Sequence, residues 1–276
     1  MFLCYRVHLV LTFLCPFLAA AASLDTDAGK EEFLRSAKPG DLRTIETGVT
    51  GSLRAMLTDG SVSHEAHIQR IHRFTPAHAA PDDDGKLLDS YLHNVAAYRI
   101  DRLIGLNVVP VSVVRNALGA RAAFTWWVDD ATMTTAEFHK QDLRPPDPHD
   151  WNHQFQAILV LQELVYNRDP NKGNLLVTRD WRLRPVDFSR SFSPRRALRQ
   201  PEYLTHVCPA LLKGLESLTE GKVKDAVGDL LRGSEVRAII ARRDLLLAHA
   251  AKLDRLTKGM ALECVRPSRT LLAGKR

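Results

Sequence analysis

Cysteine is nearly missing from this chain: there are four in 276 residues, and Cys4 and Cys15 both fall in the first 22. The other two, Cys208 and Cys264, have no metal-ligand spacing. That excludes a zinc ribbon or a disulfide-dense scaffold, and leaves either one disulfide or two buried thiols. Beyond residue 22 no apolar run is long enough to cross a bilayer. No Gly-x-Ser-x-Gly elbow occurs, so the common serine-hydrolase layout is absent. Repeats and low-complexity tracts are also missing, which removes solenoids and arrays. Aromatic residues make up only 7%. The basic residues are not interleaved with them, so no nucleic-acid partner is expected.

Hydrophobic residues make up 45% of the chain and charged residues 25%, with a formal net charge of +6. That is ample for a core. The mild basic excess suits a phosphate or an anionic surface. The first 22 residues differ from the rest. Arg6 precedes an apolar run from Leu9 to Leu18 broken by Thr12, and Ala19 to Ala22 supply small residues for cleavage. This pattern predicts a signal peptide over 1–22, and hence a secreted or periplasmic protein; an uncleaved membrane anchor is the alternative.

Residues 23–40 read as a flexible lead-in or a first helix. Three strands are predicted next: from Arg43 towards Gly48, over Leu53 to Leu57, and over Val62 to Ile71. The second and third are joined by a turn at Asp59-Gly60. Gly48, Gly51 and Ser52 lie between the first two, where glycines let backbone N–H groups approach a phosphate. Phe74 to Gly85, with the run Asp82-Asp83-Asp84, reads as a solvated loop. A helix capped by Asp89 or Ser90 is expected to reach Leu106. Strands follow over Val108 to Val114 and Arg121 to Val128. Beyond a helical stretch from Met133 and a proline-rich linker, a helix should run from Trp151 or Asn152 to Tyr166. The rest reads as helical, with a basic tail over 266–276. The fold class is thus α+β, with a small β-rich lobe over 41–130 and a mainly helical lobe over 131–265.

The most informative stretch is Asn167-Arg168-Asp169-Pro170-Asn171-Lys172-Gly173-Asn174, followed by a short apolar run, a turn, and Val186-Asp187. Taken singly, Asp-Pro-Asn is a common turn and Asp187 a plain strand end. Together they have the order and spacing that phosphoryl transfer requires. One carboxylate, Asp169, can align an acceptor hydroxyl and take its proton. Asn174 and Asp187, on two strands of a hairpin, can offer oxygen ligands, which favour Mg²⁺ or Mn²⁺. Lys172 can reach a transferring phosphate.

The stretch from Leu164 to Leu176 resembles the catalytic loop of the phosphatidylinositol 3/4-kinase group. Asp187-Phe188-Ser189-Arg190-Ser191-Phe192 is similar to the metal-binding segment of Fam20-type secretory kinases. Asn94 to Pro110 resembles helix C and the following strand of that superfamily. Residues 45–250 as a whole resemble a group of uncharacterised bacterial secreted kinase-like proteins. The resemblance implies a two-lobed kinase-like fold, ATP with Mg²⁺ or Mn²⁺, and a phosphotransferase activity. It also implies a nucleotide-binding hinge running from Trp127 to Asp129. The usual lysine and glutamate of such kinases fall at Gln69 and Asn94, an uncharged pair that could survive as a neutral contact. Arg70, Arg73 or Lys86 could supply the lost charge. A pseudokinase that binds nucleotide or serves as a scaffold, and an AMP transferase on the same fold, are the alternatives. The acceptor stays open: a protein, a lipid headgroup, a sugar or a small molecule.

Overall fold

The computed structural model describes residues 23–45, 51–76 and 86–257. The predicted signal peptide, Gly48, the Asp82–Asp84 run, Cys264 and the basic tail lie outside the described residues.

The small lobe is built on five antiparallel strands in the order β1-β2-β3-β7-β6. These are β1 (Lys38–Thr44), β2 (Leu53–Thr58), β3 (Ser63–Gln69), β6 (Ser112–Ala117) and β7 (Ala120–Trp126). Alternation decides which face is covered: Ala55, Leu57, Ala66 and Ile68 are buried. The covering helices are α1 (Asp27–Ser36) and α2 (Tyr91–Leu103). Helix α1, in the stretch read as a lead-in or first helix, is capped by Thr26 and buries Phe33 and Leu34. Helix α2 starts where Ser90 caps the Leu92 N–H. It is buried on nearly every side, so it serves both lobes as a common core element.

Four local expectations are corrected, three of them among the strands. The segment from Phe74 is not all loop: β4 (His72–Pro76) pairs with β5 (Lys86–Ser90). Its hydrophobic signal is weak because Phe74 is 60% exposed. The strand expected at Val108 starts later, at Ser112. The Val108 and Val109 N–H groups are taken by the Asp101 carboxylate instead of a ladder, and Pro110 has no N–H to give. The strand then runs on to Ala117, because Leu118 and Gly119 both take positive φ (57° and 75°) and close a tight hairpin. A further strand, β8 (Ala131–Thr134), was not foreseen. It pairs with β9 (Leu175–Thr178), which pairs in turn with β10 (Leu183–Pro185).

The larger lobe holds α3 (Thr135–Lys140), α4 (Pro148–Leu164), α5 (Pro209–Glu216), α6 (Glu220–Val227) and α7 (Gly233–Thr257). Helix α4 starts earlier than expected because Asp147 caps it and Pro148 takes the first turn. Its inner face, with Leu161 and Leu164, packs in one core with Leu215, Val223, Val227 and Leu246. Cys208, at the start of α5, is disulfide-bonded. Among the described residues no helix is long and apolar enough to cross a membrane.

Candidate functional site

A cavity of about 660 Å³ lies between the lobes. Its described lining includes Ser52, Arg54 and His67 from the sheet, Asn94 from α2, and Trp127 to Asp129 from the connection after β7. From the larger lobe come Asp169, Asn171, Asn174, Asp187 and Arg190. Most residues singled out in the sequence are therefore brought to one cleft. Gly51, Gln69 and Lys172 are not among its described lining residues. Gln69 is buried behind the cleft. Lys172 is exposed, and its carbonyl accepts from the Thr135 hydroxyl at 2.9 Å.

The loop from 167 to 174 holds its shape through its own polar groups. Asn167 Oδ1 accepts from the Asp169 N–H at 3.0 Å. Asn171 Oδ1 accepts from the N–H groups of Gly173 and Asn174, and its amide donates to Asp169 Oδ1 at 2.9 Å. The amide of Asn174 donates to the Asp169 carbonyl at 3.3 Å. So the Asp-Pro-Asn turn does form, and its effect is to point Asp169 into the cleft. The Val186 N–H donates to the Asn174 carbonyl at 2.9 Å, which extends the β9–β10 ladder by one pair and sets Asn174 beside the Asp187 strand end. Asp187 itself takes φ 54°, a left-handed conformation that short polar side chains tolerate. The two bulky residues Tyr166 and Phe192, which flank the site, also take positive φ. Such strain is retained where the surroundings over-determine it. Here Phe192 is buried and its N–H is bound to the Val165 carbonyl at 2.7 Å.

Helix α2 grips the segment that carries Asp187. Asn94 Oδ1 accepts from the Phe188 N–H at 2.6 Å. The Ser189 carbonyl accepts from the Ser90 N–H at 2.9 Å and from His93 Nδ1 at 2.8 Å. Burial pushes the His93 pKa down to about 4, against the pull of the Ser189 bond and of Glu235. The ring is therefore neutral at pH 7, with its proton on Nδ1. The amide of Asn94 also donates to Gln69 Oε1. The Gln69–Asn94 contact is thus formed and uncharged, and Gln69 Nε2 is buried with no partner among the described residues.

Charge in the cleft comes from elsewhere. Arg190 donates through Nε to Asp89 and through Nη1 to Asp169, both at 3.0 Å. Burial works against its charge, but Asp89, Asp169 and Asp187 outweigh it and hold its pKa above the usual value. The Arg54 guanidinium lies 3.9 Å from the Trp127 ring centre and pairs with Glu65. His64 Nε2 meets Asp129 at 2.6 Å, and its ring stacks on Trp126 at 3.5 Å. The Trp127 N–H is already bound to the Glu65 carbonyl. Arg70 and Arg73 are exposed and not part of the described lining; the Lys86 side chain lies outside what is described.

Arg54 and His67 were missed as cleft residues, while Asn171 was read only as part of a turn and Arg190 only through its place in the metal-segment resemblance. For His67 a signal existed, since it shares a strand face with Gln69 two residues on. Burial lowers its pKa, with Asp187 opposing.

Among the described residues no group of three or more His, Cys, Asp or Glu is arranged to hold a metal. Asn174 and Asp187, which line the same cavity, offer an amide oxygen and a carboxylate. That set fits Mg²⁺ or Mn²⁺, ions that complete their shell with phosphate oxygens and water.

A five-stranded lobe crossed by a buried helix, a helical lobe, and an Asp-x₄-Asn loop facing an aspartate across a hairpin together define a kinase-like fold. Solved structures agree. A Golgi casein kinase matches with TM-score 0.60 at 10% identity, over 88% of this chain and 80% of that one. Hydra Fam20, solved with sugar, matches with TM-score 0.63 at 12% identity, over 88% and 95%. The Helicobacter pylori proinflammatory kinase CtkA matches with TM-score 0.54 at 8% identity, over 80% and 98%. The chain has the fold these Fam20-type and bacterial kinases share. No family model and no curated protein sequence matches it.

Proposed function

We propose that the chain is an exported kinase-like phosphotransferase that uses a metal-bound nucleoside triphosphate. One observation carries this reading: Asp169, Asn174 and Asp187 line a single cavity between the lobes. Asp169 orients the acceptor hydroxyl and accepts its proton. Asn174 and Asp187 hold Mg²⁺ or Mn²⁺, which when bound neutralises the phosphates of ATP. Ser52, with Gly48 and Gly51, faces the phosphates, and Trp127 and Asp129 face the base. Gln69 and Asn94 take the place of the usual Lys–Glu pair, and being uncharged they leave no buried ion unpaired. Lys172 serves from the rim. In this reading the small lobe spans 41–130 and the helical lobe 131–265. A signal peptide (1–22) and a lead-in containing α1 precede them, and a basic tail (266–276) follows.

A second reading, a pseudokinase scaffold, is favoured by the same neutral Gln69–Asn94 contact and by the Arg190 cation lying on Asp169. Thermal stabilisation by ATP with Mg²⁺ or Mn²⁺, in wild type and in Asp187→Ala, tests both. A metal-dependent shift in wild type that Asp187→Ala loses is the expected result. No shift in wild type rejects both nucleotide-dependent readings. Mass spectrometry after incubation with ATP then separates them: added phosphate supports the kinase, added AMP supports an AMP transferase, and no modification favours the scaffold.

A further inference from the structure

We infer that Arg190, anchored by the buried Asp89, is the residue that receives the nucleotide polyphosphate, carrying the charge that the Gln69–Asn94 pair lacks. This rests on the nucleotide reading above.

The described lining holds two permanent cations, Arg54 and Arg190. Arg54 is engaged at the far end, stacked on Trp127 and paired with Glu65. Arg190 follows Asp187 by three residues and contacts the Asp169 carboxylate directly. A phosphoryl group brought to Asp169 with its metal therefore arrives within reach of this guanidinium. Its Nη2 makes no bond among the described residues, and a planar fork suits two phosphate oxygens.

Asp89 explains why Arg190 stays there. Its side chain is 1% exposed, one oxygen pairs with Arg190 Nε, and the other has no partner among the described residues. Losing Arg190 would leave a buried carboxylate unpaired, so the contact is strongly favoured. Asp89 sits on β5 in the small lobe, Arg190 on the Asp187 segment, and Asp169 on the loop after α4. The row Asp89–Arg190–Asp169 thus ties the small lobe to the loop that carries Asp169. It also sets a competition. Without nucleotide, Arg190 neutralises Asp169; phosphate oxygens draw the guanidinium and expose the carboxylate to an acceptor hydroxyl.

The test measures binding of ATP with Mn²⁺, of tripolyphosphate with Mn²⁺, and of adenosine, to wild type, Arg190→Met, Arg190→Lys and Asp89→Asn. Arg190→Met is expected to lose at least tenfold in affinity for ATP and tripolyphosphate and to keep adenosine binding, which also reports that it is folded. Arg190→Lys and Asp89→Asn should fall between. Adding Gln69→Lys with Asn94→Glu to Arg190→Met should recover part of the loss. If Arg190→Met binds ATP like wild type, or loses ATP and adenosine equally, Arg190 is only a tether and the inference is overturned while the nucleotide reading stands. If wild type binds neither ATP nor adenosine, both fall.

Discussion

Acidification should loosen this protein through a histidine buried in α2. His93 sits inside α2, 2% exposed, with Nδ1 on the Ser189 carbonyl. Its pKa falls from 6.5 to about 4 on folding, chiefly through burial. Between these values the unfolded chain binds a proton that the fold refuses. Stability from this group is therefore present above pH 6.5 and lost as pH falls towards 4. At pH 5 the difference amounts to about 2 kcal/mol. His67 and His206 shift in the same direction, so the wild-type loss exceeds that of His93 alone. The control is His93→Asn, whose amide can donate to Ser189 but does not titrate. Urea unfolding at pH 7.5 and pH 5.0 should show wild type losing about 2 kcal/mol more than the variant on acidification. Equal losses in the two proteins would refute the assignment, whatever their stabilities at pH 7.5.

Two further outcomes follow from packing and polar satisfaction. Asn94→Leu keeps the side-chain shape but strips partners from the buried Phe188 N–H and Gln69 Oε1. It should cost about 2–5 kcal/mol in urea unfolding, and an unchanged midpoint would show that these bonds do not hold the segment. Gly214→Ala would place a Cβ 2.1 Å from the Ile104 carbonyl oxygen, so α5 must back away from the end of α2. A loss of about 1–3 kcal/mol is expected, read as a lower melting temperature; no change would contradict the close approach.

Much of the cleft was legible because its chemistry is local in sequence. Asp169, Asn171 and Asn174 lie on one loop whose hydrogen bonds close on themselves, and Asp187 follows a predictable hairpin. The α2 helix was legible from its spacing and its Ser90 cap. What could not be read were long-range pairings. That Arg190 is anchored by Asp89, 101 positions earlier in the chain, is one of them. The Arg54 contact with the Trp127 ring is another. Strand β8 was hidden because four residues rich in threonine carry little periodic signal, and it exists by pairing with β9. The shifted start of β6 had a local cause, Asp101 and Pro110, but only the fold shows which N–H groups the carboxylate takes.

The three bonds from α2 to Phe188 and Ser189 also restrict how the cleft can move. They join a helix of the small lobe to the main chain beside Asp187, so the helix cannot swing outward without carrying that aspartate along. A switch that works by displacing this helix alone is therefore closed to this chain. The connection between the lobes is tied to the sheet as well: the Trp127 N–H binds the Glu65 carbonyl, and Arg54 on Trp127 and His64 on Asp129 add side-chain contacts. The Asp187 segment and the small lobe thus form one body, held by α2 on one side of the cleft and by the Trp127 connection on the other.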